Sequence, residues 1–211
     1  CAEALGAEQV HCLMLPYGPD GAASLTDARL VAETLGVMSE IVDIRPMADA
    51  VIATDSGMNR VRRGNIMARS RMILLYDRSA AHGALVVGTG NKTEILLGYS
   101  TVHGDSACAI NPLGDLYKTQ VWALAAELGG PARIIETKPS ADLWPGQTDE
   151  DDLGFTYAEA DTLLCRLFDM QKTAAELSAD GYDQKLIAAV LDRVERYSFK
   201  RMPPEIARVS G

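Results

Sequence analysis

The stretch from Ala84 to Leu97 restricts the fold more than any other part of the chain. Ala84–Val87 is a short apolar run that passes directly into Gly88-Thr89-Gly90-Asn91, and helix-forming residues follow from Lys92 to Leu97. Four apolar residues are too few for a helix and fit a buried strand, while the two glycines let the backbone turn at once into a helix. A strand that feeds a helix this way is a building piece of a parallel sheet, because parallel strands need a crossover between them. The pattern recurs along the chain. Val10–Leu15 reads as a strand ended by the breaker run Pro16–Gly21. Ser24 and Asp27 then have capping-box spacing ahead of a helix that carries Leu30, Val31 and Leu35 and stops at Gly36. Ser39–Ile44 reads as a further strand, with Pro46 at the start of the next helix.

After the breaker cluster Asp55–Asn59, Gly64–Ala81 has a long amphipathic pattern built on Ile66, Met67, Ile73 and Leu74. A helix is predicted from near Leu116 to Leu128, before Gly129-Gly130. Lys138–Gly154 reads as a polar loop, and helical stretches follow at about 157–170, 173–179 and 183–197. Cys1–Gly6 reads as the end of a helix, so the chain starts inside an α/β unit. These elements predict an α/β fold with a parallel sheet, flanking helices and a helical C-terminal extension.

Composition narrows the function. A chain of 211 residues is expected to form one domain, here spanning 1–211. Its formal charge of −9 argues against a nucleic-acid coat and a polybasic membrane binder. No apolar run reaches the roughly 18 residues of a membrane-spanning helix. Cys1, Cys12, Cys108 and Cys165 form no CxxC pair, which fits a reducing, cytoplasmic setting rather than a disulfide framework or zinc knuckle.

In an open parallel sheet, ligands bind outside the carboxyl ends of the strands. Two such ends stand out, Leu15–Gly18 and Val87–Glu94. Gly88 and Gly90 permit close approach of backbone to a ligand, and the helix that follows offers N–H groups to an anion. Thr89 adds a hydroxyl, and Glu94 is a possible Mg²⁺ ligand. The plainer alternative is a tight strand-to-helix turn with Asn91 as the cap and Glu94 on the surface. The glycine spacing matches neither the dinucleotide fingerprint nor the Walker P-loop. Arg60, Arg62, Arg63, Arg69 and Arg71 crowd one segment, and as a group they suit anion binding. Lys118 sits where a helix begins, a place that favours negative charge, which hints at an anion beside it; the plainer alternative is a solvated lysine. His103 and Asp105 are a possible acid/base pair in a Gly turn, with Asp105 equally readable as an Asx-turn residue. Capping explains part of the acidic run Asp149–Asp152, and Cys12 and Cys108 read as core.

Several long segments together resemble NAD⁺ synthetase: LMLPYG (13–18), SLTDARLVAETLG (24–36), RVRRGNIMARSRM (60–72), VVGTGNKTEILLGY (86–99), HGDSACAINPLGDLYKTQVW (103–122), KPSADLWPGQTDEDDLG (138–154) and FKRMPP (199–204). The resemblance implies a Rossmann-like, adenine-nucleotide hydrolase-type fold. It implies ATP-dependent adenylation of deamido-NAD⁺, displacement of AMP by ammonia, and use of Mg²⁺. It also implies a homodimer. Carried over residue by residue, it makes Thr89, Ser140 and Leu15 ATP contacts and Glu94 the Mg²⁺ ligand. Lys118 becomes the phosphate-neutralising lysine, Arg69 and Lys200 bind deamido-NAD⁺, and Asp105 positions or deprotonates ammonia. Loop 138–154 resembles a segment that closes over the site and excludes water. The family's SGGxDS loop has no counterpart here and is expected upstream of Cys1, together with a strand. Val102, Ala109 and Phe199 stand where many members carry Lys, Asp and His. A glutamine-dependent synthetase, whose amidase domain lies upstream, and an inactive nucleotide-binding homologue are the alternatives.

Overall fold

The computed structural model describes residues 1–18, 22–144 and 146–209. Pro19, Asp20 and Gly21 of the predicted breaker run, and Pro145 of the predicted polar loop, lie outside the described residues.

The first strand, β1 (His11–Met14), follows the short helix α1 (Ala2–Leu5). Gly6 ends α1 at a φ of 91°, which an L side chain rarely adopts. Helix α2 (Ala22–Leu35) carries the chain back to β2 (Met38–Ile41), and the two strands pair in parallel from His11↔Met38 to Met14↔Ile41. This is the predicted crossover unit. The predicted cap is not where Ser24 was expected to place it: Ser24 lies inside α2, and its hydroxyl donates to Asp142 Oδ2 at 2.5 Å.

Helices α3 (Arg45–Ile52) and α4 (Arg60–His82) pack against each other. Asn59 caps α4 by accepting from the Arg62 N–H, so the helix starts four residues before the predicted Gly64. Ile44, Ala48, Ile52 and Met67 form a small core there, joined by Leu15, Ile66 and Leu143.

The third predicted strand is reduced to one parallel bridge, Val87↔Ile110. Val86 O accepts from Ala109 N, and Gly88 N donates to Ile110 O at 2.7 Å. The turn at Gly88 and the ring of Pro112, which has no N–H, bound this contact, so no longer ladder forms among the described residues.

The larger core joins α5 (Lys92–Leu97), α6 (Lys118–Glu127), α8 (Asp149–Leu153), α9 (Tyr157–Leu164), α10 (Ala174–Ala179) and α11 (Gln184–Arg196). Leu97, Tyr157, Leu163, Leu164, Leu177 and Val190 are fully buried in it. Capping boxes at Thr156/Glu159 and Thr173/Glu176 start α9 and α10. The predicted helix 157–170 changes pitch: α9 gives way to a π segment over Cys165–Asp169. Two short helices were not predicted, α7 (Ala132–Ile135) and α8, the latter inside the predicted polar loop. Thr148 caps α8, and its acidic first turn suits the positive end of a helix.

Candidate active site

The glycine turn at the end of Val87 leads into α5 through a capping box that the sequence already contains. Asn91 Oδ1 accepts from Glu94 N at 3.0 Å, and Glu94 Oε2 accepts from Asn91 N at 3.1 Å. Lys92 N donates to Leu116 O. Three N–H groups at this helix start are thereby occupied, so the expectation that they are free to meet an anion is not met.

Glu94 is nonetheless not a surface residue. Its side chain is 17% exposed, and Oε1 accepts from Lys118 Nζ at 2.8 Å. The anion expected beside Lys118 is therefore Glu94. The Lys118 ammonium also lies 5.0 Å from the centre of the Tyr157 ring. The start of α6 is fixed by two buried side chains that sequence reasoning missed. Thr93 Oγ1 accepts from Lys118 N at 2.9 Å and donates to Asp161 Oδ1 at 2.5 Å, and Asp161 Oδ2 accepts from Thr119 N at 2.8 Å. Thr93 is fully buried and Asp161 nearly so. The one available signal was an acid placed among apolar residues in the middle of α9, which must have a partner if it is buried.

A cavity of about 150 Å³ is lined by Glu94, Gly88, Gly90, Tyr99, Asp105 and Lys200 among others, while Lys118 and Thr89 are not in its lining. Gly88 is required here, because a Cβ on it would come within 2.6 Å of Cys108 Sγ. Cys108, read as core, is half-buried and faces the cavity.

Asp105 forms the turn that one of its readings expects. Oδ1 closes the turn by accepting from Thr101 N at 2.8 Å, and the exposed side chain lines the cavity. His103 is exposed, with a left-handed φ of 57°. Arg69 reaches the same turn, where its Nε donates to Val102 O at 3.2 Å. Lys200 lines the cavity, but Nζ donates to Gly98 O at 2.7 Å and Ser100 O at 2.6 Å. Burial pushes the Lys200 ammonium pKa down, and the nearby Asp105 charge opposes that.

The remaining predicted residues lie further out. Thr89 is exposed, between the two cavity-lining glycines. Ser140 is exposed on the 138–148 loop, and its Oγ accepts from Asp142 N. Leu15 packs against the small core, and its carbonyl accepts from Arg71 Nε at 2.9 Å.

The five arginines do not form one anion-binding patch. Arg62 pairs with Asp55 at 2.6 Å, Arg60 lies over the Trp144 ring, and Arg71 is turned toward Leu15. A helix of more than six turns distributes its side chains around its circumference, and each finds the nearest partner.

Among the described residues no group of three or more His, Cys, Asp or Glu side chains is placed to hold a metal, and no helix is long and apolar enough to cross a membrane. Mg²⁺ does not need such a cage when phosphate and water supply the remaining oxygens. Two carboxylates line the cavity, Glu94 and Asp105; Glu94 Oε1 accepts from Lys118 Nζ and Oε2 from Asn91 N, so Glu94 can offer an oxygen to Mg²⁺ by giving up one of these bonds.

Comparison with known proteins covers nearly the whole chain. The NH(3)-dependent NAD(+) synthetase of Trichlorobacter lovleyi is 54% identical over 210 residues, which is 100% of this chain and 77% of that protein. The solved NH3-dependent NAD synthetase from Campylobacter jejuni, in complex with nitrate ion, is 35% identical with a TM-score of 0.82. That match covers 99% of this chain and 81% of the other. An NMN synthetase from Francisella tularensis superposes with the same TM-score at 33% identity, covering 93% and 78%. These neighbours share a Rossmann-like α/β fold with the chain. The NAD synthase family model matches residues 1–204, a span that takes in the capping box, the Glu94–Lys118 pair and the cavity, and on this evidence the chain belongs to the NAD synthase family.

Proposed function

We propose that the chain is the ATP-dependent, ammonia-using ligase that converts deamido-NAD⁺ to NAD⁺, with Glu94, Lys118 and Asp105 at its centre. The observation that carries this reading is Glu94, which lines the same cavity as Asp105 and is bonded to Lys118 Nζ. The family membership and the names of the relatives support it.

A carboxylate resists attack by ammonia, because it is a poor electrophile and its oxygen leaves badly. In the proposed reaction a nicotinate oxygen attacks the α-phosphorus of ATP and pyrophosphate departs. The acyl adenylate so formed has AMP as its leaving group. Ammonia adds to the acyl carbon, the bond to the AMP oxygen breaks, and the proton shed by nitrogen passes to a base. Lys118 offsets the charge that builds up on the phosphates. The turn bond from Thr101 leaves Asp105 an oxygen with which to orient ammonium and accept that proton. Arg69 and Lys200 flank the Asp105 turn and are assigned to the deamido-NAD⁺ side. Thr89, Ser140 and Leu15 are assigned to ATP. Glu94 would hold Mg²⁺, which when bound supplies charge neutralisation to the polyphosphate. We assign the protein to the cytoplasm. We also assign it a homodimeric state, as the family resemblance implies.

The test is Lys118→Ala and Glu94→Ala in the full-length protein. Each is expected to abolish NAD⁺ formation with the circular dichroism spectrum retained, and near-normal turnover by either overturns its assignment. The same assay compares ammonium with glutamine as nitrogen donor. The similarity to an NMN synthetase makes nicotinate mononucleotide the second acid to offer.

A further inference from the structure

Asp149 is the first residue of α8, 4% exposed, and the proposed chemistry gives it no part. It is nonetheless engaged on every side. Oδ2 accepts from the fully buried Tyr157 hydroxyl at 2.8 Å, and Oδ1 lies 3.1 Å from the Tyr99 hydroxyl. Its backbone N–H donates to Pro139 O at 2.9 Å, closing the base of the loop that begins with Ser140. The same loop is braced by Gln147, whose Oε1 accepts from Leu143 N and whose Nε2 donates to Asp152 Oδ2. Tyr157 is the ring beneath the Lys118 ammonium, and Tyr99 lines the cavity.

We propose that Asp149 is a positioning residue that joins the base of the Ser140 loop to the tyrosine floor under the Lys118–Glu94 pair, so that loop and phosphate-handling pair hold one relative position. The proposal rests on the functional reading above for its kinetic consequences and on geometry alone for its structural ones. One residue makes both connections: its backbone N–H holds the loop base at Pro139 O, and its carboxylate, which anchors that backbone, holds the Tyr157 ring under Lys118.

The detailed hydrogen bonding selects the test. The Tyr99 oxygen is 3.1 Å from Asp149 Oδ1 and 3.0 Å from Asp152 Oδ2, yet a phenol has one proton to donate. Both contacts are hydrogen bonds when Asp149 carries a proton and donates it to Tyr99, while Tyr99 donates to Asp152. Burial pushes the Asp149 carboxyl pKa up, in the direction that favours this arrangement. Asparagine reproduces it, because its amide donates to Tyr99 and its oxygen accepts from Tyr157. Alanine removes it.

The experiment uses the full-length protein and its Asp149→Ala, Asp149→Asn and Tyr99→Phe variants. Hydrogen exchange is followed by mass spectrometry on peptides covering 139–149 and, as an internal control, α4. In Asp149→Ala the amides of 139–149 are expected to exchange at least tenfold faster while α4 is unchanged, and Asp149→Asn is expected to restore most of the protection. With deamido-NAD⁺, ATP and ammonium, Asp149→Ala should raise the KM for ATP about tenfold and release more than one AMP per NAD⁺ formed. Asp149→Asn should return that ratio to one. Should Asp149→Ala fail to fold, Tyr99→Phe removes only the Tyr99 contacts and is expected to accelerate exchange in 139–149 alone. Unchanged exchange in 139–149, acceleration spread equally over α4, or no rescue by asparagine overturns the positioning role. A parent protein that forms no NAD⁺ overturns the functional reading instead, and the exchange data then still decide the role of Asp149.

Discussion

Replacing Asp161 by alanine tests whether the start of α6, and with it Lys118, is held by buried hydrogen bonds. Asp161 is 5% exposed and accepts from Thr93 Oγ1 at 2.5 Å and from Thr119 N at 2.8 Å. Hydrogen bonds to an ionised group contribute roughly 1.5–3 kcal/mol each. Alanine removes both and strands two donors away from water, so the expected cost is about 3–5 kcal/mol. A domain of this size loses roughly 2–4 °C of melting temperature per kcal/mol, which places the fall at roughly 6–20 °C. Asparagine is the control. Its oxygen still accepts from Thr119 N, while the Thr93 hydroxyl loses its acceptor, and the expected cost is about 1–2 kcal/mol. Urea titration and thermal unfolding followed by circular dichroism measure both variants. An Asp161→Ala protein that melts within about 2 °C of the parent refutes the idea that this acid holds α5 to α6.

Two further outcomes are expected. Gly98→Ala places a methyl group 2.2 Å from Tyr197 Cβ at a residue with φ of 62°, so it should cost more than about 2 kcal/mol in a urea titration. A cost under about 1 kcal/mol would mean that the C-terminal segment yields easily. Burial raises the folded pKa of the Asp149 carboxyl above the usual carboxylate range. Such a group contributes stability that is present below its unfolded pKa and lost as pH rises through the folded one. Relative to the parent, Asp149→Asn should therefore grow more stable as pH is raised from about 4 to 7. A constant difference, or one of opposite slope, removes the case for a raised folded pKa.

What the sequence made legible follows the distance over which each feature acts. The turn and helix at 88–97 were readable because their determinants are contiguous: the glycines, the Asn91 cap and Glu94 three residues on, while the strand before them shrinks to one bridge. The helices opened by Thr156 and Thr173 were readable for the same reason, each with its Glu at the third helical position. The failures are long-range. Ser24 has the spacing of a cap, yet its hydroxyl reaches Asp142, 118 residues away. The arginines of α4 share a segment but not a partner. Thr93 meets Asp161 across 68 residues, and no local pattern ties them together. Asp149 looked like one acid in a capping run, and only tertiary packing brings both Tyr99 and Tyr157 to it. Local motifs therefore specify where the cavity's wall bends, while buried acids far along the chain specify how firmly that wall is held. The proposed reaction needs both. A glycine turn without Asp161 and Asp149 would still form, but the start of α6 and the ring under Lys118 would each lose a buried partner while the charge on a departing pyrophosphate develops. An enzyme gains from such charges only when they are in place beforehand, because reorganising them during the reaction would add to the barrier.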